Sequence, residues 1–284
     1  MLTIYTWYGR LGNNIVQIIN AIYFAQKNNH KYVNFPLHNM FKQNSIEIDI
    51  GDNIENTNNF SNRFFYINEL KIYDLEPHIM KTIFQKYIKP IMNIEFVNNY
   101  DKDDTIYFHF RGGDNFTRNG GHPKYVQPPL IYYKDIIKNY KKAVLICEDK
   151  RNPCINELLK LDNVEYQQNN VMYRFSFIEP EYFTTYQYVG EKKDIYTFSN
   201  ASNIGLCSGT FSLLAYLVSD NLKNLYIPDI FHKYLSNIGI ISNNNCNWGD
   251  NLNVHIINLP NYIEFGKWNF NDETKKLLLE YNYQ

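Results

Sequence analysis

The sequence has little cysteine and no long apolar segment. Asn, Lys or Asp interrupts every apolar stretch before it approaches the roughly 20 residues that cross a bilayer. The first residues lack a charged and apolar leader, which predicts no secretion signal. The four cysteines, Cys147, Cys154, Cys207 and Cys246, lack the CxxC spacing of a zinc site. We therefore expect reduced structural thiols, no zinc and no transmembrane segment.

An excess of positive charge is also missing. The formal net charge is -1 and no run of Lys or Arg exceeds a pair, which argues against a nucleic-acid partner. The chain contains neither GxGxxG nor GxxxxGK[ST], so a dinucleotide or nucleoside-triphosphate loop is not indicated. One DxD pattern occurs, at Asp101-Lys102-Asp103, but it lies in a charged turn and is interpreted as a solvated surface.

The chain of 284 residues shows alternating strand and helix patterns, which predict an α/β fold with a parallel sheet. The first half is irregular, and residues 39–69 have no clear assignment. Strands are predicted at 2–7, 31–35, 105–111, 143–147, 203–207 and 224–227. Helices are predicted at 15–25, 76–89, from 128–129 onward, and at 153–161, 193–199, 210–218 and 271–281, the last capped by Asn271.

The motif with the clearest chemical meaning is His109-Phe110-Arg111-Gly112-Gly113-Asp114, at the end of a predicted strand. An arginine fork can hold two phosphate oxygens at once, and glycines let the backbone approach a ligand closely. The alternative is a structural turn in which Arg111 pairs with Asp114 and His109 is a satisfied core residue. The spacing alone leaves both interpretations open.

This HxRxGD motif resembles the nucleotide-binding motif of the α-1,2-, α-1,6- and protein O-fucosyltransferases. The loop Gly9-Arg10-Leu11-Gly12-Asn13 is similar to the glycine-asparagine loop that opens bacterial α-1,2-fucosyltransferases. Residues 144–149, which end in Glu148 and Asp149, and residues 203–217, which contain Thr210-Phe211-Ser212, resemble two later segments of the α-1,2 family. The four matches follow the family order.

The resemblance implies a GT-B-like fold of two Rossmann-like lobes with a cleft between them. Residues 1–100 would form an acceptor-side lobe, 101–260 the GDP-sugar-binding lobe and 261–284 a closing helix. The implied reaction is an inverting transfer of L-fucose from GDP-fucose to a glycan acceptor, with an α-1,2 linkage and no metal or other cofactor.

The resemblance also implies catalytic roles for three residues. Arg111 would contact the donor β-phosphate and stabilise the departing GDP. Asp114 would orient Arg111 or accept the acceptor proton. Asn13 would face the reaction centre, and its alternative role is that of a turn residue.

Substrate contacts are implied for the residues around these three. Gly12, His109 and Gly113 would line the ligand. Thr210, Phe211 and Ser212 would bind phosphate at a helix start, where ordinary helix capping is the alternative. Glu148 and Asp149 would accept hydrogen bonds from guanine, where a solvated loop is the alternative.

The sequence departs from the family at two places. Gly112 stands where a second arginine is usual, and Cys207-Ser208-Gly209 replaces the usual Ser-Asn-Ser. A transferase that uses another GDP-sugar and a catalytically inactive glycan-binding relative therefore remain alternatives, although the retained Arg111 argues against the second. The Asn-, Ile- and Lys-rich composition is typical of a bacterium or a large DNA virus, with a location in the cytoplasm or on a membrane face.

Overall fold

The computed structural model describes residues 1–97, 103–117, 120–168, 180–241 and 246–283. The chain groups into two compact units. Unit 1 comprises Met1–Glu95 and Leu235–Asp250, and unit 2 comprises Phe96–Tyr234 and Asn251–Gln284.

This grouping differs in two ways from the division expected from the sequence. Residues 235–250 belong to unit 1, where the Ile67 N–H donates to the Gly239 carbonyl (3.0 Å) and Trp248 is buried. Residues 261–284 do not stand apart, because Trp268 and Leu278 are buried in the core of unit 2.

Unit 1 contains a four-stranded sheet among the described residues, with the order β3-β2-β1-β4. β1 is parallel to both β2 and β4, and β2 is antiparallel to β3. The elements are β1 (Leu2–Ile4), α1 (Leu11–Lys27), β2 (Tyr32–Asn34), β3 (Ser45–Glu47), β4 (Phe60–Asn62) and α2 (Pro77–Ile83). Beyond α2 the chain continues as a π-helix (Phe84–Ile88) and a short 3-10 turn (Lys89–Ile91). Pro90 lacks the amide that an α-helix would need there.

Unit 2 contains a six-stranded sheet among the described residues, and all of its strand pairs are parallel. The strand order is β10-β9-β8-β5-β6-β7. The strands are β5 (Thr105–Phe110), β6 (Lys142–Cys147), β7 (Val164–Gln168), β8 (Asn203–Gly205), β9 (Asn224–Pro228) and β10 (Asn253–Ile257). The helices are α3 (Leu130–Ile137), α4 (Pro153–Leu158), α5 (Pro180–Asn200), α6 (Thr210–Val218), α7 (Asp229–Asn237) and α8 (Asp272–Glu280).

The centre of the sheet in unit 2 is buried on both faces. β5 is buried at all six positions, as expected for a strand covered by helices. The Phe108 ring lies 5.3 Å from that of Tyr133 on α3. A side chain at Gly205 on β8 would collide with the Phe108 ring, so glycine is required for β8 to lie beside β5. Asn271 caps α8 by accepting from the Thr274 N–H (2.8 Å).

The predicted α/β fold with parallel sheets is confirmed, and the predicted bounds of α6 match the structure. β3, β4, β7, α7 and β10 were not predicted. β10 is an edge strand with mostly exposed side chains, which gives no apolar alternation to detect. The helix predicted at 193–199 is the end of the 21-residue α5.

Three further features of the sequence can be compared with the structure: the DxD pattern, the cysteines and the lack of a long apolar segment. Asp103 pairs with Lys223 (2.6 Å) on an exposed surface, whereas Asp101 and Lys102 lie outside the described residues. The described cysteines form no disulfide bond. No helix in the described ranges is long and apolar enough to cross a membrane.

Candidate functional site

The sheet of unit 2 has a topological switch point between β5 and β8. From β5 the chain continues to β6 and β7 on one side, and it then returns to β8 on the other side. Ligands of open α/β sheets bind outside the carboxyl ends of the strands at such a point. Arg111 follows β5 and Thr210 follows β8, so the two strongest sequence motifs flank this crevice.

His109, the last residue but one of β5, joins the two motifs. Its Nδ1 atom lies 2.7 Å from Ser212 Oγ on α6, and its ring centroid lies 5.2 Å from that of Phe211. Ser212 Oγ also accepts from the Cys207 N–H (3.2 Å). The predicted alternative of a satisfied, buried histidine therefore describes His109 correctly. Its position also fixes the start of α6 relative to the end of β5.

Burial, together with the nearby positive charge of Arg111, lowers the pKa of His109 to about 3. The imidazole is therefore neutral near pH 7. A histidine in the unfolded chain has a pKa of about 6.5, so the unfolded chain binds one more proton in the window between these values. The stability that comes from neutral His109 is full above pH 6.5 and is lost as the pH falls towards 3.

We expect this linkage to appear in the variant His109→Gln. Between pH 7 and pH 5 the unmodified protein should lose about 2 kcal/mol more unfolding free energy than the variant, because only the unmodified chain takes up a proton at this position. Urea unfolding at the two pH values measures the difference. Identical pH dependence in the two proteins would contradict the burial of a neutral His109.

Arg111 is held in place, and part of its guanidinium remains unsatisfied. Its Nη2 donates to Asp114 Oδ1 (2.9 Å), and its Cζ atom lies 5.7 Å from the centre of the Tyr125 ring. Its Nε is buried and has no acceptor among the described residues. The side chain of Arg111 is 20% exposed, whereas that of Asp114 is 64% exposed. The predicted ion pair is present, and it orients a guanidinium whose Nε has no hydrogen-bond acceptor within the described ranges.

Glu148 and Asp149, which follow β6, pack directly against the glycines of the motif. A Cβ atom at Gly112 would lie 2.7 Å from Asp149 Oδ1, and one at Gly113 would lie 2.6 Å from Glu148 Oε1. Asp149 accepts from the Gly113 N–H (3.1 Å) and from the Arg151 N–H (2.9 Å). Asp149 therefore ties the β5 and β6 loops together. Its carboxylate occupies the space that an arginine at position 112 would enter.

The start of α6 presents backbone amides at the crevice. The N-cap is Gly209, whose φ of 91° is a conformation that favours glycine and whose ψ is 162°. The start of an α-helix carries partial positive charge, which attracts anions, and here the Ser212 N–H donates to the Gly209 carbonyl (3.1 Å). Thr210 and Ser212 are buried in this first turn. Glycine at position 209 thus has a local cause, since the turn into α6 needs a residue with positive φ.

Gly12 and Asn13 belong to unit 1, whereas the nine other predicted site residues belong to unit 2. Both lie in the first turn of α1, where Gly12 is buried and Asn13 is half-buried. Gly9 has a φ of 76°, and a side chain there would collide with the Asn13 amide. The proposed role of Asn13 at the reaction centre remains a prediction.

Two aromatic residues that support the motif were missed in the sequence analysis. Tyr125 covers Arg111, and Trp268 anchors the 3-10 turn Gly113–Phe116. Trp268 Nε1 donates to the Asn115 carbonyl (3.3 Å), and its ring packs edge-on against Phe116 (5.9 Å). Trp268 lies about 150 residues from the motif in sequence, and no local pattern connects the two.

The site combines one guanidinium, the start of a helix and a neutral imidazole with the carboxylates of Asp114, Glu148 and Asp149. No group of three or more His, Cys, Asp or Glu side chains within the described ranges is placed to hold a metal ion. Comparisons with protein-family models, with curated proteins and with solved structures give no match to this chain.

Proposed function

We propose that the protein is an inverting glycosyltransferase that moves L-fucose from GDP-fucose to a hydroxyl group of a glycan, forming an α-1,2 linkage. The observation that carries the proposal is the position of Arg111 and the start of α6 at neighbouring strand ends of one switch point. In this proposal units 1 and 2 are the two lobes of a GT-B-like enzyme. The motif order supports the family, and the crevice supplies the chemistry that the motifs require.

The proposed chemistry centres on the leaving group. As the bond between fucose and the β-phosphate breaks, negative charge builds on the departing GDP. Arg111 donates to that phosphate through its fixed fork, and the positive end of the α6 dipole attracts the same anion. Donors positioned in advance in a water-poor crevice stabilise the transition state without reorganising. Arg111 is held ready for this role by Asp114 and Tyr125.

The neighbouring groups have supporting roles in this proposal. Neutral His109 holds Ser212 and the start of α6. Its low pKa means that the protonation state of its imidazole does not change near pH 7. Asp114 orients Arg111, which is the structural role preferred over that of a general base. Glu148 contacts guanine in this proposal, and Asp149, which accepts from the Gly113 and Arg151 amides, holds the loop beside it.

A thermal-shift panel of GDP, GDP-fucose, GDP-mannose, UDP and UDP-glucose tests the donor. A ligand that binds only the folded protein raises the melting temperature, by an amount set by its concentration relative to its Kd. We expect the largest shifts with GDP and GDP-fucose. A shift with GDP-mannose in place of GDP-fucose would favour the transferase of another GDP-sugar. No shift with any GDP compound would favour the inactive glycan-binding relative and overturn the proposal.

A further inference from the structure

Unit 1 has a switch point of its own. β1 continues through α1 to β2 on one side, whereas β4, its other parallel neighbour, lies on the opposite side. The loops 5–10 and 63–66 follow the carboxyl ends of β1 and β4. A ligand crevice is therefore expected at this edge of the sheet in unit 1, by the same rule that applies in unit 2.

Three tyrosines line this edge, and we name them the tyrosine surface: Tyr5, Tyr8 and Tyr66. Tyr5 is 55% exposed and Tyr8 is 37% exposed. Tyr8 Oη lies 3.4 Å from Tyr66 Oη, and Arg63 Nε donates to Tyr5 Oη (3.1 Å). The edge thus combines apolar ring faces with hydroxyl groups and one cation, the mixture that small-molecule sites use for orientation.

The tyrosine surface is built on loops that buried amides hold in place. Gln17 on α1 is fully buried, and its Oε1 accepts from the Tyr8 N–H (2.8 Å). Its Nε2 donates to the carbonyls of Thr6 (3.0 Å) and Arg63 (2.6 Å). A single side chain therefore ties the β1 loop to the β4 loop. Rings that are already fixed lose little conformational entropy when a ligand binds.

The ring of Tyr8 also packs against a second aromatic ring, that of Phe65. Its centroid lies 4.7 Å from that of Phe65. Asn20 on α1 donates to the carbonyls of Phe64 (3.0 Å) and Phe65 (2.9 Å), which fixes the backbone beneath the ring. Phe64 itself has a φ of 55°, a left-handed conformation that costs free energy in a residue with a large side chain. These buried bonds compensate for that cost and hold the tyrosine surface in one arrangement.

We propose that the tyrosine surface binds the acceptor oligosaccharide, with a hexose ring lying on Tyr8 and the tilted Tyr66 ring (59° to that of Tyr8) at its side. The C–H groups on one face of a pyranose carry partial positive charge, which suits the negative face of an aromatic ring, and its hydroxyl groups match the phenol oxygens and Arg63. The exposed parts of Tyr5 and Tyr8 amount to roughly 200 Å². A stable protein partner needs about 800 Å² on each side, so the surface fits a small ligand better. Its role as an acceptor site rests on the proposed function.

Saturation-transfer NMR of the full chain with lactose, maltose and chitobiose tests this inference without any nucleotide. We expect at least one of the three sugars to bind, and Tyr8→Ala to weaken that binding about tenfold, because the ring face is lost. Tyr8→Phe should keep most of the affinity. Tyr73→Ala is the matched control, since Tyr73 is 68% exposed in unit 1 but lies outside both loops.

Two results would overturn the inference. One is the absence of saturation transfer from the protein, at an unchanged melting temperature, to any of the three sugars. The other is equal sugar binding by Tyr8→Ala and Tyr73→Ala. Because GDP binding is measured separately through Arg111 in unit 2, sugar binding without GDP binding would reject the transferase but keep the sugar site. GDP binding without sugar binding would keep the transferase and reject the sugar site.

Discussion

Replacing Arg111 by alanine should weaken GDP binding about 100-fold and leave the melting temperature within about 2 °C. Hydrogen bonds to charged groups contribute about 1.5–3 kcal/mol each, so losing a two-pronged phosphate contact has an effect of this size. Arg111 pairs with Asp114, which is 64% exposed and remains hydrated after the change. Because the carboxylate of this pair is largely exposed, we expect the pair to contribute about 1 kcal/mol to stability. Isothermal titration with GDP and a melting curve measure the two effects.

The matched variants separate charge from geometry. Arg111→Lys keeps the positive charge but loses the planar fork, so its affinity should fall between those of the unmodified protein and Arg111→Ala. Arg151→Ala removes a cation that is 49% exposed and pairs with Asp149 at 3.4 Å. It should bind GDP nearly as the unmodified protein does. Unchanged GDP affinity in Arg111→Ala would remove the phosphate role from the site.

Replacing Trp268 by alanine should lower the melting temperature by about 10 °C and also weaken GDP binding. Trp268 is 1% exposed, and a buried tryptophan truncated to alanine costs about 3–5 kcal/mol. For a chain of this size each kcal/mol corresponds to about 2–4 °C. The turn Gly113–Phe116 loses its anchor at the same time, so the motif should no longer be held in its binding geometry. Differential scanning calorimetry and GDP titration below the transition test both parts.

Two further variants show whether the loss of binding is local. Trp268→Phe keeps most of the ring packing but loses the Nε1 hydrogen bond to Asn115. It should therefore lose less melting temperature and less GDP affinity than Trp268→Ala. Trp248→Ala removes another buried tryptophan, 3% exposed, from unit 1. It should be similarly destabilised but should bind GDP normally when folded. Equal loss of GDP binding in both alanine variants would mean that the effect is general destabilisation.

The parts of the site that could be predicted from sequence are short segments. Each such segment forms a strand or a helix start and also carries the side chains that could bind a ligand. The run from Thr105 to Asp114 is a continuous apolar strand that ends in arginine and glycine, so the strand and the site appear together. The start of α6 at Thr210 was found in the same way. These two segments lie side by side because β5 and β8 are neighbouring parallel strands. The order of the motifs along the chain suggests this pairing but does not specify it.

What the sequence did not reveal depends on contacts between distant residues. Tyr125 lies over Arg111 and Trp268 lies under the motif turn, but neither stands in a pattern that marks it as different from other aromatic residues. Gln17 reads as an ordinary polar residue of α1, yet it is fully buried between two loops. Three of its partners are backbone groups, the Tyr8 amide and the Thr6 and Arg63 carbonyls, and backbone partners leave no trace in side-chain composition.

The comparison of GDP with UDP by thermal shift tests the proposed GDP-sugar site most directly. At a concentration of about 100 times its Kd, GDP should add about 2.7 kcal/mol of stability, or roughly 5 °C or more. UDP should give a much smaller shift. Arg111→Ala should show almost no shift with either nucleotide. A GDP shift that disappears in Arg111→Ala is the expected result. No shift with GDP, or equal shifts with GDP and UDP, would contradict a guanine-nucleotide site at the ends of β5 and β8.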